Sequence, residues 1–243
     1  MEADARESEQ RVRDAYRGGL LLLDRAPPDS RPGLVRSLLA GYVESPLPRA
    51  FCDGVLLFVS QATRRRYPLF LHGAQLFAAG LTEPQVSSWL ALDRWEDAGP
   101  LVRTWVDLST RVTSVTSDPR DADTRLVARS LALLALSPAL GGDLFAALSR
   151  QVAPPIASGV LGLLELWAGL RLRYTAMPRI DLETDPAIRP YHAKLEATLR
   201  HRVQNFRPVI VRPPSFDESS EALLVPADAA APRLEHVPVG IIR

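Results

Sequence analysis

The sequence predicts an all-α fold, and two observations support that class. Apolar residues recur at helical spacing from the start of the chain to about residue 205. Segments rich in proline and glycine, such as APPDSRPG and AAGLTEPQV, separate these periodic stretches. Residues 206–243 have no helical period and are rich in proline and alanine. We therefore expect an all-α domain over 1–205 and an extended, irregular tail over 206–243.

The first half of the domain predicts four helices. Residues 5–23 carry leucines after a charged turn, and this helix ends before APPDSRPG. Residues 32–44 predict the second helix, because two prolines follow it. Residues 48–62 have a broad apolar face, which is typical of a buried helix. A helix over 68–79 comes next, with a proline in its first turn, where the missing N–H would have no partner.

The second half predicts six more helices. Thr82 can cap a helix that runs through SSWLAL, and another helix follows Gly99 (PLVRTWVDLSTRV). Ser-Asp-Pro at 117–119 predicts the cap of the helix ADTRLVARSLALLAL. A glycine pair opens DLFAALSRQV, and a proline pair opens the long apolar IASGVLGLLELWAGLRLRY. The last helix covers roughly 186–205 and has a basic end.

The composition excludes several classes of function. The formal net charge of +1 gives no reason to expect a nucleic-acid partner. Cys52 is the only cysteine, so an intrachain disulfide, a CxxC redox pair and a multi-cysteine zinc site are excluded. The start is charged where a signal peptide would be apolar. The longest apolar runs, around 131–140 and 154–164, are shorter than the ~20 residues of a membrane span. We expect a cytoplasmic protein with no cofactor, metal or membrane partner.

The stretch SQATRRRYPLFLHGAQLFAAGLT contains the most distinctive pattern of the chain. It places His72 in an otherwise apolar helix, and Asp53 lies nineteen residues earlier on the preceding apolar helix. A helical hairpin would fold the Asp53 carboxylate toward the imidazole. Such a pair is a general base oriented by a carboxylate, or a proton relay, because the pKa of histidine lies nearest neutrality.

At these residues the chain resembles the alkylhydroperoxidase D-like, or carboxymuconolactone decarboxylase-like, family of all-helical proteins. The family motif has a glutamate, a VS stretch, a CxxC pair, a histidine four residues later and an AGLT-like turn. The matching residues are Asp53, Val59-Ser60, Tyr67 within the CxxC position, His72, and AAGLTEPQV. The resemblance implies the alkylhydroperoxidase D-like helical bundle and a homo-oligomer that associates through helical faces.

The departures from this motif exclude the peroxidase chemistry of the family. Arg65 and Pro68 occupy the two cysteine positions, and Asp53 replaces the glutamate. Thiol peroxide reduction needs a thiolate and a resolving thiol, and Cys52 stands beside Asp53 rather than beside His72 in the motif. The resemblance, which covers roughly residues 32–178, therefore implies the fold without CxxC redox activity.

Three interpretations of the pair follow. The chain is a redox-inactive pseudoenzyme that binds a small anionic or aromatic ligand, or a partner, beside Asp53 and His72. Alternatively, as the decarboxylase branch of the family implies, His72 is the base of a thiol-independent decarboxylase, isomerase or lyase. Arg64, Arg65 and Tyr67 are the expected ligand contacts, since guanidinium groups match carboxylates and phosphates. In the third interpretation the pair is purely structural.

Other polar residues of the helices predict less. His192 and His201 lie nine residues apart, which is not a metal-binding spacing on one helix face, and we expect both at the surface. Glu165 is the one charge in a long apolar helix, so we expect it to pair with an arginine at a subunit interface or to face the pocket of the pair.

The end of the chain, HVPVGIIR at 236–243, suggests a separate role. It is similar to the short C-terminal anchors of encapsulin cargo proteins, which have apolar residues, a glycine and a basic end. That similarity implies a docking peptide for a protein partner. The alternative is an arm that packs on the protein itself or on a neighbouring subunit.

Overall fold

The computed structural model describes residues 2–17, 19–92, 111–136, 141–176 and 182–203, and these residues form helices and loops with one isolated bridge, between Val112 and Val152. The predicted all-α class is confirmed. The helices are α1 (Glu2–Ala15), α2 (Leu21–Asp24), α3 (Arg31–Leu38) with a π-helical segment (Leu39–Val43) directly after it, α4 (Arg49–Ala62), α5 (Arg66–Ala78), α6 (Glu83–Leu90), α7 (Ala122–Leu136), α8 (Gly141–Gln151), α9 (Pro154–Ala176) and α10 (Arg189–Val203).

Two predicted helices differ from the structure near the start of the chain. The helix expected over 5–23 is two helices, because Arg17 has φ 59°, a left-handed conformation that ends α1. The helix expected over 32–44 changes to π-helical geometry at Leu39. The helix expected after Gly99 and the tail at 206–243 lie outside the described residues.

Side-chain caps fix two helix starts, one as predicted and one not. The backbone N–H of Thr82 donates to Oε1 of Gln85 at 2.9 Å, in the arrangement of a capping box at the start of α6. The expected cap of α7 at 117–119 is wrong. Asp121 caps α7 instead, since its Oδ1 accepts the backbone N–H of Thr124 at 2.7 Å.

The α4–α5 hairpin forms the centre of the fold. Residues 50–62 of α4 are all buried, which matches the predicted broad apolar face. Three glycines let neighbours approach closely: a Cβ at Gly54 would lie 2.1 Å from Trp89 of α6, one at Gly73 would lie 2.4 Å from Leu195 of α10, and one at Gly41 would lie 2.6 Å from the backbone of α9. Helices α6 and α10 thus enclose the hairpin, and the π-helical segment lies against α9.

Helix α9 is long and apolar enough to cross a membrane by length and composition, over Pro154–Tyr174. The uninterrupted apolar run in the sequence is shorter, but the helix continues through Glu165, so its length does not exclude a span. A core helix of a soluble protein passes the same test, and 39% of the most apolar window of α9 is buried inside the fold. Leu161 and Leu172 on this helix remain 45% and 61% exposed.

Candidate functional site

The hairpin brings the predicted pair together. Arg64 adopts φ 55° in the tight turn between α4 and α5, and the backbone N–H of Arg65 donates to the Ser60 carbonyl at 2.9 Å. Nδ1 of His72 consequently lies 2.8 Å from Oδ1 of Asp53. The predicted approach of the two side chains is confirmed. Both are deeply buried, with 2% of Asp53 and 1% of His72 exposed.

Tyr42, in the π-helical segment, completes a three-residue relay of Tyr42, Asp53 and His72. Its hydroxyl donates to the Asp53 carboxylate, at 2.8 Å from Oδ1 and 2.9 Å from Oδ2. A carboxylate accepts hydrogen bonds, so the proton on the imidazole lies on Nδ1 and donates to Asp53. Nε2 of a neutral His72 is then an acceptor, and it has no hydrogen-bond partner among the described residues. Nε2 of His72 is therefore the basic nitrogen that the relay offers to a ligand, since the Asp53 carboxylate already accepts hydrogen bonds from Tyr42 and His72.

Tyr16, at the end of α1, covers the relay. Its ring stacks on Tyr42 with the centroids 4.6 Å apart and the planes at 19°, and it meets the ring of His72 edge-on at 6.2 Å. The Gln75 side chain donates to the Tyr16 carbonyl at 3.1 Å. Burial, and then the charge of Asp53, raise the pKa of Tyr16 and of Tyr42, so both phenols stay protonated. Tyr42 is therefore a permanent donor to Asp53.

The one cysteine stands beside this relay but has no thiolate character. Cys52 is buried, and its thiol donates a long hydrogen bond to Oγ of Ser45 at 3.9 Å. Burial, reinforced by the charge of Asp53, raises the pKa of the Cys52 thiol to about 12. A thiol with this pKa is protonated at neutral pH and is neither a nucleophile nor a redox centre.

The predicted ligand contacts of the turn make no direct hydrogen bond to the pair among the described residues. The Tyr67 hydroxyl donates to Oε1 of Glu183 at 2.5 Å, and the same oxygen accepts the backbone N–H of Leu21 at 2.7 Å. Within the described residues, the hydrogen bonds of Asp53 and His72 include none to Arg64, Arg65 or Tyr67. The contact of these three residues with a ligand at the pair stays a prediction.

Tyr67 belongs to a second buried cluster that sequence reasoning missed. Burial raises the pKa of Glu183, although the hydrogen bonds from Tyr67 and Leu21 lower it. Tyr174 packs edge-on against Tyr67, with the ring centroids 6.1 Å apart. This cluster joins the loop before α10 to the start of α2 and to α5.

The remaining sequence candidates are placed as follows. His192 is buried rather than at the surface, because its ring packs edge-on against Phe70 of α5. Glu165 is exposed on α9, so it does not face the pocket of the pair. Among the described residues, no group of three or more histidine, cysteine or acidic side chains is placed to hold a metal ion.

Comparison with known proteins adds no assignment. The chain matches no family model, no curated protein and no solved structure. The conclusions on function therefore depend on the geometry of the relay and on the motif resemblance.

Proposed function

We propose that this chain is a redox-inactive protein of the alkylhydroperoxidase D-like type that binds a small aromatic ligand at the relay of Tyr42, Asp53 and His72. The observation that carries the proposal is the orientation of His72, whose Nδ1 is bonded to Asp53 and whose Nε2 lacks a partner among the described residues. An acceptor nitrogen beside a tyrosine ring suits a ligand that has a planar ring and one hydroxyl. The protonated Cys52 thiol supports the absence of peroxidase activity.

The ligand class follows from the residue that fills this space. Tyr16 is itself a phenol, and it stacks flat on Tyr42 while it meets His72 edge-on. Its hydroxyl makes no hydrogen bond within the described residues. A small phenol in its place would keep the stacking on Tyr42 and could donate to Nε2 of His72. An anionic ligand fits less well, because the Asp53 carboxylate would repel it.

Entry of a ligand requires that Tyr16 move away. Over residues 4–15, helix α1 is largely exposed, and the buried side chains of this stretch are Val12 and Ala15, with Tyr16 following. An ion pair at 2.7 Å, half-exposed on both sides, joins Arg11 to Glu44 beside the π-helical segment. Exposed pairs of this kind contribute ~0–1 kcal/mol, so loss of this pair loosens α1 slightly while the hydrogen bonds from Gln75 to the Tyr16 carbonyl and from Arg17 to the Ala78 carbonyl remain. The state in which α1 and Tyr16 have moved away from His72, called the open state, is the less populated one, and it is the state that binds the ligand.

The test is calorimetric titration of 4-methylphenol, the tyrosine side chain without its backbone, into the full chain. Arg11→Ala weakens the closed state and should raise the apparent affinity about twofold to fivefold, because that affinity scales with the open population. Arg120→Ala is the matched control: it also loses an exposed ion pair, to Asp118, but in the loop before α7. It should bind as the wild type does.

Two results contradict this proposal. If the wild type does not bind 4-methylphenol at millimolar concentrations, Tyr16 is a fixed core residue and the site is not a ligand site. If Arg11→Ala and Arg120→Ala bind equally well, the ligand does not enter by displacement of α1. Hydrogen exchange of residues 2–17 gives an independent readout, since ligand binding should increase it while α4 and α5 stay protected.

A second candidate function is a thiol-independent enzyme of the decarboxylase, isomerase or lyase type. The same observation favours it, since a histidine oriented by a carboxylate through Nδ1 presents Nε2 as a general base. Carboxymuconolactone is the substrate that the family resemblance suggests. His72→Gln should abolish its turnover and retain the fold, and a wild type without turnover of this lactone would leave the binding function as the better account.

A further inference from the structure

Helix α9 carries an exposed stripe that the relay does not explain. Beyond the two exposed prolines that begin the helix, the exposed positions recur every three or four residues and therefore lie on one face: Ser158, Leu161, Glu165, Ala168 and Leu172. Leu161 and Leu172 are the large hydrophobic side chains that remain exposed within the described residues. Exposed leucines in one row on a long apolar helix are typical of an interaction surface.

A hollow lies beside this stripe. It has a volume of about 220 Å³ and is lined by residues of α9 and α3, which are apolar except for Ser37 and Arg173: its walls include Leu34, Leu166, Gly169 and Leu170. Leu172 stands at its edge and points a largely exposed side chain toward solvent. A protruding leucine next to an apolar hollow is the arrangement that a self-complementary surface needs, because each copy supplies both parts.

The charges on this face are complementary under one symmetry. Glu165 has no ion pair or hydrogen bond among the described residues, and Arg173 lies eight residues later, about 80° round the helix at the wall of the hollow. Arg173 makes one long hydrogen bond, to the Ser30 carbonyl at 3.4 Å. A two-fold axis at Gly169 that sets two copies of α9 antiparallel brings Glu165 to the level of Arg173, because both lie four residues from the axis. Because of the two-fold symmetry, the ion pair between Glu165 of one copy and Arg173 of the other would form twice in each dimer.

We propose that α9 is the interface of a homodimer, in which two copies of this helix cross antiparallel at Gly169. Leu172 of one copy reaches the level of Leu166 of the other, at the mouth of the hollow. Gly169 lets the helices approach, since a Cβ there would meet nothing within 4 Å in the single chain. Glu165 of each copy pairs with Arg173 of the second copy and closes the edge of the apolar contact.

The size of the surface sets the strength of the dimer. The stripe from Ser158 to Leu172 is about 21 Å long at 1.5 Å per residue. One helix pair of this length covers less than the ~800 Å² per partner of a standard interface, so residues of α3 such as Leu34 and Ser37 add to it. We therefore expect dissociation at micromolar rather than nanomolar concentrations.

Sedimentation equilibrium of the full chain over a concentration range of about 1 to 100 μM tests this interface. The wild type should be a dimer at the upper end. Glu165→Arg and Arg173→Glu should each weaken the dimer at least about tenfold, because each places like charges against each other. The double variant E165R/R173E restores opposite charges and should return the dissociation constant to within about threefold of the wild type.

Two further variants keep the result interpretable. Glu196→Arg makes the same change of charge on the exposed face of α10 and should leave the dimer intact. Leu172→Glu tests the apolar contact, and its exposure means that the monomer still folds even if Arg173→Glu does not. Circular dichroism of each variant shows whether the helices are retained.

Three outcomes overturn the proposal. The first is a wild type that stays monomeric at about 100 μM. The second is an oligomer whose dissociation constant is the same for the wild type, Glu165→Arg and Leu172→Glu. The third is a monomer that sediments with phosphatidylcholine vesicles, which would make the stripe of α9 a lipid-facing surface. None of these outcomes depends on ligand binding at the relay, so the two proposals fail separately.

Discussion

Removal of the Asp53 carboxylate is the sharpest test of what the relay does for the fold. In Asp53→Ala, Nδ1 of His72 and the hydroxyl of Tyr42 both lose their acceptor, at contacts that are now 2.8 Å and 2.8–2.9 Å long. Each buried donor left without a partner costs about 1–3 kcal/mol. We therefore expect the free energy of unfolding to fall by about 2–6 kcal/mol, which is the cost of the two unpaired donors together.

The assay for this loss is urea unfolding followed by circular dichroism. The slope of the unfolding free energy against urea concentration is compared between variants, because equal slopes show that the same surface is exposed on unfolding. Asp118→Ala is the matched control, because Asp118 makes an ion pair with Arg120 at the surface. Its loss should cost about 1 kcal/mol or less. If Asp53→Ala costs no more than this control, the relay does not stabilise the folded state and our account of its hydrogen bonds is refuted.

Three further predictions concern other buried groups. Because the pKa of Cys52 is raised to about 12, the thiol should be unreactive toward Ellman's reagent at pH 8 in the native protein. It should react at once when the protein is unfolded in urea. Rapid labelling of the native protein would contradict the burial of this thiol. Burial raises the pKa of Glu183, so the folded state favours its protonated form. Relative to Glu183→Gln, the wild type should be most stable below about pH 4, the pKa of glutamate in the unfolded chain, and should lose stability as the pH rises through the raised pKa of Glu183 in the folded state. Thermal unfolding of both proteins at several pH values measures this. A stability difference between them that does not change with pH would contradict the prediction. Gly54→Ala should lower the free energy of unfolding by about 1–3 kcal/mol, because the added Cβ would overlap Trp89. In Gly33→Ala the added Cβ would have no atom within 4 Å, and the better helix propensity of alanine should raise the free energy of unfolding by about 0.5–1 kcal/mol. Equal effects of the two variants in urea unfolding would refute this difference.

The sequence was sufficient for the hairpin and for its pair. The broad apolar face of 48–62 predicted the buried α4, and the nineteen-residue spacing from Asp53 to His72 predicted their contact, because two helices joined by a tight turn must face each other. These inferences depend on local periodicity and on one turn, which a single sequence records well. The motif resemblance added residue roles, and those roles stay predictions.

The rest of the site depended on contacts that local patterns do not encode. Tyr42 lies in a π-helical segment that the sequence predicted as ordinary helix, so nothing indicated that its hydroxyl faces Asp53. Tyr16 was placed inside a helix over 5–23, although the glycine pair at 18–19 was a signal that this helix ends early. Tyr67 was assigned to the ligand from its place in the motif, but its partner, Glu183, is 116 residues away along the chain.

The π-helical segment makes the relay sensitive to chain length. A π-helical turn holds one residue more than an α-helical turn, and each residue of a helix advances by about 100°. Deletion of one residue between Leu39 and Val43 would close the wide turn into an ordinary one, and the ring of Tyr42 would then swing away from Asp53. The far-UV dichroism of such a protein would hardly change, while the carboxylate would keep only His72 as donor. An insertion or deletion within these five residues would therefore preserve the helical fold and remove the hydrogen bonds from Tyr42 to Asp53, whereas most substitutions there would preserve both.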